Sequence, residues 1–215
     1  MSSIKVLVKE IDMAYYDKHY QTHLDELYKE RRDAVVRLKN RTAAIMSMAT
    51  GIELQNIIHK ECGMTTEDIA FDKNLNGKPY LNGANGFCFN ISHSGNMLVI
   101  AYGDEEMGVD VERIKEGNLK VAARCFTKEE LAYINGNNSP REEILVHERF
   151  TKVWTMKEAY LKYKGIGISV PLNSFCVSPV EKNVKGDNVE FVIKTFGEYV
   201  IAICVNIGTQ VVFLP

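Results

Sequence analysis

The sequence predicts an α+β protein of two similar subdomains, each with a long helix packed on a small antiparallel sheet. Three observations carry that prediction. The chain opens on an alternating, strand-like segment, "IKVLVKEI" at 4–11, since residues two apart share a face of a strand. The first half then runs through long helical patterning into short strands with turn residues between them. The second half repeats that order, with capped helical patterning up to Gly165 followed by strands to the end. No linker rich in Pro, Gly or Ser separates the halves. The division is therefore expected in the short turn "DEEM" (104–107), giving subdomains 1–105 and 106–215.

Each element has a local reason. Residues 20–39 are largely helical and run into the basic segment "YKERRDAVVRLKNR". "RTAAIMSMATGIELQNIIHK" (41–60) is a mostly apolar helix that tolerates Gly51 in its interior. "NLNGKPYL" (74–81) holds an Asn-Gly pair and a proline, the marks of a loop or hairpin. Three short strands follow at 87–92, 97–102 and 108–113, separated by "HSGN" and "DEEM", a spacing that suits an antiparallel meander. "TKEE" (127–130) is a capping box. Ser139 and Pro140 supply the N-cap and first position of a long helix that ends at Gly165. Strands are expected at about 174–179, 189–195, 198–205 and 210–214.

Composition excludes several classes. Apolar residues at 46% and charged residues at 25% are ordinary for a soluble globular chain. A net charge of −2, from 26 basic and 28 acidic side chains, argues against bulk nucleic-acid binding. The five cysteines (62, 88, 125, 176 and 204) are scattered and form no CxxC pair. That pattern suits reduced thiols in a cytoplasm better than a disulfide framework or a zinc site. The first twenty residues lack a signal-peptide core, and no apolar run approaches membrane-spanning length. The expectation is a cytoplasmic protein, a monomer, with neither membrane nor nucleic acid as partner.

Three features carry chemistry. In "GVDVERI" (108–114), Asp110 and Glu112 lie two apart on an apolar strand, so both carboxylates point the same way. Like charges side by side destabilise a sheet unless something compensates them. In "FTKVWTMKEAYLKYKG" (150–165), Trp154, Glu158 and Leu161 form one helical stripe interrupted by a charge, with Lys162 four residues after Glu158 and Lys157 beside it. Alone, Glu158 and Lys162 are also what a solvated helix face carries, a pair contributing roughly 0.2–0.5 kcal/mol. If the helix packs across the strand, Asp110, Glu112 and Glu158 converge. Hard oxygen ligands of this kind suit Mg²⁺ or Mn²⁺, with the lysines then facing phosphate oxygens. The third feature, "FNISHSGN" (89–96), places Ser92, His93 and Ser94 where a strand gives way to a turn. They offer ligand donors, or simply side chains that bond their own turn. A Ser–His nucleophile is a poor fit, because neighbours on a strand point apart and no GxSxG elbow is present. Lys78 sits at a rigid turn, either exposed or touching a phosphate. The run Lys29, Arg31, Arg32, Arg37, Lys39 and Arg41 is either a solvated face or a source of charge for a phosphate-rich ligand. No GxGxxG or GxxxxGKS loop occurs.

Taken in order, "NGKPYL", "FNISHS", "GVDVER" and "WTMKEAYLK" resemble the 4′-phosphopantetheinyl transferase family, in its larger, monomeric, surfactin-synthetase-activating type. Each motif is weak alone; four in this order are specific. The smaller holo-acyl-carrier-protein synthases carry a related aspartate motif and KEA motif, but theirs begins near the N-terminus of a chain about half as long. The resemblance implies two similar α+β subdomains with coenzyme A bound in the cleft between them. The implied reaction moves the phosphopantetheine arm of coenzyme A onto a serine of an acyl or peptidyl carrier protein and releases adenosine 3′,5′-bisphosphate. By the same resemblance, Asp110, Glu112 and Glu158 would hold Mg²⁺ against the pyrophosphate. Lys162 would contact the phosphates and stabilise the leaving group, and His93 would bind near the phosphates. Lys78 and Ser92 would hold the adenosine end, with Arg41 at the 3′-phosphate and Lys29 and Arg32 as further candidates there. Glu158 is the candidate base, directly or through a water on the metal, making Asp110, Glu158 and Lys162 the catalytic set. The competing expectations are a non-catalytic coenzyme A or carrier-protein binding module on the same fold, and an unrelated Mg²⁺-dependent phosphohydrolase.

Overall fold

A computed structural model describes residues 3–115, 119–136, 143–167 and 170–214. Two sheets stack face to face, and each carries one long helix on its outer side. The first half contributes β1 (Ser3–Glu10), short helices α1 (Met13–Lys18), α2 (Tyr20–Glu26) and α3 (Lys29–Arg37), and the long α4 (Arg41–Cys62). A small hairpin of β2 (Phe71–Lys73) and β3 (Pro79–Leu81) precedes β4 (Cys88–Ser94) and β5 (Met97–Gly103). The second half runs β6 (Gly108–Arg113), α5 (Leu119–Cys125), α6 (Lys128–Asn135) and the long α7 (Glu143–Lys164). It closes with β7 (Val177–Ser178), β8 (Asn183–Val184), β9 (Val189–Phe196), β10 (Tyr199–Asn206) and β11 (Gln210–Phe213).

Strand alternation builds the layers. In β5, Leu98, Ile100 and Tyr102 face α4, while Met97, Val99 and Ala101 face the other sheet. In β10, Ala202 and Cys204 face α7, while Ile201, Ile203 and Val205 meet β5 across the inter-sheet core. Each fully buried leucine, isoleucine or valine among them contributes roughly 1.5–3 kcal/mol. The first sheet has the order β11-β1-β5-β4 and the second β6-β10-β9-β8-β7. Pairing is antiparallel apart from β1 with β11, which is parallel, so the last strand completes the sheet of the first half.

Three sequence expectations change. Strands β4 and β5 pair as expected, but β6 leaves the meander and pairs with β10, Asp110 opposite Ala202. Met107, Val109 and Val111 bury between the sheets, so "DEEM" carries the chain from one layer to the next. The helical stretch 20–39 breaks at Leu27 and Tyr28, which turn into the core. Gln55 covers the broken backbone, accepting from the Tyr28 N–H at 3.0 Å and donating to the Glu26 carbonyl at 3.0 Å. Gly51 is more than tolerated: a Cβ there would lie 2.5 Å from Arg31 Cγ and 2.7 Å from Leu27 Cδ2, where α3 crosses α4. The capping box at Thr127 and Glu130 is present. The proposed cap at Ser139 and Pro140 lies outside the described residues.

Candidate active site

Strands β4 and β6 are the facing edges of the two sheets. On β6, Val109 and Val111 point into the inter-sheet core, which turns Asp110 and Glu112 toward α7. Helix α7 crosses at Gly108, where a Cβ would lie 2.0 Å from the Ala159 carbonyl oxygen and 2.3 Å from the Tyr163 nitrogen. Helix backbone therefore rests on strand backbone. Glu158 and Lys162 immediately precede Ala159 and Tyr163 on that helix, one turn apart.

The Lys162 ammonium lies 2.7 Å from Asp110 Oδ1 and donates to Ser92 Oγ at 2.9 Å. The Ser92 hydroxyl donates in turn to Asp110 Oδ1 at 2.8 Å. Glu112 Oε2 accepts from the Ser94 hydroxyl at 3.1 Å. All three carboxyls hold protons more tightly than usual. For Asp110 the main cause is burial, opposed by Lys162 and Ser92. For Glu112 it is burial and then the Asp110 charge. For Glu158 it is burial and Asp110, opposed by Lys162, with Glu112 adding to the rise. Three carboxylates thus share one close ammonium.

Among the described residues, no three His, Cys, Asp or Glu side chains form a ready-made metal cage. The donor set nevertheless fits a hard divalent cation. Asp110 Oδ2 is buried without a hydrogen-bond partner, and the surplus negative charge is carried by oxygen alone. Mg²⁺ needs few protein ligands, because water and substrate oxygens fill the rest of its octahedron.

A cavity of about 270 Å³ adjoins this cluster, lined by Lys78, Asn90, Ile91, Leu161, Lys162 and Gly165 among others. Lys78 reaches it from the β2–β3 turn, which needs Gly77 at φ 87°. Its ammonium binds the Met107 carbonyl at 3.0 Å and Glu106 at 2.6 Å. His93 points to the opposite face of β4 from Ser92. Its imidazole is held below the usual pKa, first by burial and then by the Lys162 charge.

The remaining predicted residues sit elsewhere. Arg41 opens α4, paired with Asp17 at 2.7 Å and stacked 3.5 Å over the Tyr20 ring. Lys29 pairs with Asp33 at 2.6 Å on the surface of α3, where Arg32 also lies. None of these contacts reaches the carboxylates. Lys157 corrects an expectation: it does not face the cleft. It is fully buried, with its ammonium 2.7 Å from Glu130 Oε1 and from the carbonyls of Leu172 and Phe175. Successive helix residues diverge by about 100°, so Glu158 toward β6 sends Lys157 into the core. Trp154 packs on Phe126 and Phe150, and Tyr160 donates to Asp187 at 2.7 Å. Asn90, which the sequence reading passed over, accepts from the Val109 N–H at 2.8 Å. Its signal was the polar alternation at 90, 92 and 94 beside apolar Phe89 and Ile91.

A fold of two stacked α+β halves with an acidic, lysine-bearing cleft between their edge strands matches a known class. Residues 106–204 match the model of the 4′-phosphopantetheinyl transferase superfamily, and residues 15–105 match that of the 4′-phosphopantetheinyl transferase N-terminal region. The chain is 33% identical over 163 residues to the 4′-phosphopantetheinyl transferase psf-1 of Bacillus pumilus, covering 74% of this chain and 68% of that protein. It is 31% identical over 162 residues to gsp of Aneurinibacillus migulanus, covering 75% and 66%. To Sfp of Bacillus subtilis (strain 168) it is 29% identical over 148 residues, covering 69% and 64%. The chain belongs to the 4′-phosphopantetheinyl transferase superfamily. The matched stretch spans about two thirds of the length of these curated relatives.

Proposed function

We propose that this chain transfers the 4′-phosphopantetheine arm of coenzyme A to a serine of an apo acyl or peptidyl carrier protein, releasing adenosine 3′,5′-bisphosphate. The observation that carries this reading is the meeting of Asp110 and Glu112 with Glu158 and Lys162 where α7 crosses β6, in a chain of this superfamily. Asp110, Glu112 and Glu158 would hold Mg²⁺ or Mn²⁺. When bound, that ion supplies Lewis-acid neutralisation of the pyrophosphate.

The chain's own residues do the rest. A carrier serine is neutral and needs its proton removed. Glu158 takes it, directly or through water; as a ligand of the cation it would be a weaker base than the free carboxylate, which favours the water route. The serine oxygen bonds to the phosphorus bearing the pantetheine arm. The bond from that phosphorus to the bridging oxygen breaks, and the electron pair leaves with the adenosine bisphosphate. Lys162 stabilises the charge that develops there. Lys78 and Ser92 would hold the adenosine end, His93 would bind near the phosphates, and Arg41, Lys29 and Arg32 would meet the 3′-phosphate end. For Arg41 this requires exchanging Asp17 for phosphate. We read the protein as a cytoplasmic monomer divided at 105/106. Among the described residues no helix is long and apolar enough to cross a membrane, and all five cysteines are free thiols.

Mass spectrometry of apo carriers incubated with the protein, coenzyme A and Mg²⁺ tests the reading. One added phosphopantetheine is expected. An unchanged mass across diverse carriers overturns it, with tight coenzyme A binding then indicating a binding module and phosphate release from small esters a phosphohydrolase. In the same assay Gly108→Ala should lower kcat/KM by about a hundredfold, because α7 has no flexible side chain to yield there and shifts by about 1 Å. The urea midpoint should fall by an amount equivalent to about 1–3 kcal/mol.

A further inference from the structure

An edge strand exposes backbone N–H groups that must find partners. On β6 the groups turned toward β4 are those of Val109, Val111 and Arg113, and no backbone ladder joins the two strands. Side chains take two of them instead: Asn90 Oδ1 accepts from Val109 at 2.8 Å and Ser94 Oγ accepts from Arg113 at 3.2 Å. Side chains rather than a backbone ladder therefore join the two edges.

The same β4 face orients the acids. Ser92 donates to Asp110 at 2.8 Å and Ser94 donates to Glu112 at 3.1 Å. The Ser94 hydroxyl is thus fixed by the Arg113 N–H on one side and aimed at Glu112 on the other. Without it, Glu112 loses that hydrogen bond, and the attraction of Lys115 and Lys162 works against burial and the Asp110 charge, leaving the side chain freer to swing toward solvent.

We propose that Ser94 is a positioning residue, whose hydroxyl, anchored to the β6 backbone, holds the Glu112 carboxylate in the cleft for the divalent cation. This rests on the metal reading under the proposed function. Partners of this kind fix a ligand before the ion arrives, and their loss weakens metal binding by about 10–100-fold.

Free Mn²⁺ measured by electron paramagnetic resonance, titrated against intact protein with saturating coenzyme A, reads this directly. Ser94→Ala should raise the Mn²⁺ dissociation constant about tenfold, with the KM for coenzyme A unchanged once Mn²⁺ is saturating. Ser94→Thr, which keeps the hydroxyl, should bind Mn²⁺ like the wild type. Wild-type affinity in Ser94→Ala, or a Ser94→Thr variant as weak as Ser94→Ala, overturns the role of Ser94 while leaving the metal reading intact. A wild-type protein that takes up no Mn²⁺ overturns both.

Discussion

Glu158→Gln should abolish transfer, lowering kcat by about a thousandfold, without lowering the melting temperature of the metal-free protein. Glutamine keeps the size and shape of the side chain but accepts no proton and carries no charge for a cation. The stability half follows from the electrostatics. Burial and the Asp110 and Glu112 charges all raise the proton affinity of Glu158, and Lys162 only partly opposes them. The folded protein therefore binds more protons than the unfolded chain between the ordinary glutamate range and the raised folded value. Stability associated with this group is present in acid and is lost as pH rises through that window. The glutamine variant escapes that loss. In EDTA, melting curves across acid to neutral pH should show its advantage over wild type widening with pH. A variant that melts lower than wild type at neutral pH would contradict the crowding of charge at this cleft.

Lys157→Met should cost about 3–5 kcal/mol of stability, although it lies beside the proposed catalytic Glu158 in sequence. An ammonium has three donors, and here Glu130, Leu172 and Phe175 each accept one at 2.7 Å. Burial alone pushes the Lys157 pKa down, and Glu130 holds the charge in place. Glu130 is itself the N3 member of the capping box that Thr127 opens on α6, and it accepts from the Val177 N–H at 2.7 Å. The pair therefore ties α6, α7, the 172–175 turn and β7 together. Removing the lysine leaves a buried carboxylate whose remaining partners are backbone N–H groups. Urea titration measures the loss, and adding Glu130→Gln to Lys157→Met should recover part of it. A loss below about 1 kcal/mol, the range of an exposed pair, would mean that Lys157 faces solvent.

Much of the site was legible because its signals are local. Period-two alternation in "GVDVER" put both carboxylates on one face, and helical spacing put Glu158 and Lys162 on one stripe. The family resemblance rested on those same residues, and the superfamily match bears it out. The missing parts were non-local. Nothing in "DEEM" says that the next strand will cross to another sheet, since the decision lies with β10, some ninety residues later. Lys157 reads like Lys162 until the partner in α6 is known. Glycines 51 and 108 look like weak points in their elements, and their purpose appears only when another backbone or side chain is packed against them. Asn90 and Ser94 were readable as polar alternation, but their acceptors and donors belong to the facing strand.

The most direct test is the anomalous signal of Mn²⁺ in crystals grown with coenzyme A. The expected peak lies at coordination distance, about 2.1 Å, from Asp110 and Glu158, on the side of Asp110 Oδ2 that lacks a partner, with pyrophosphate oxygens completing the shell and Lys162 on the phosphates. Coenzyme A bound with no manganese peak among Asp110, Glu112 and Glu158, or with the ion held by other residues, would contradict the metal-bearing cleft.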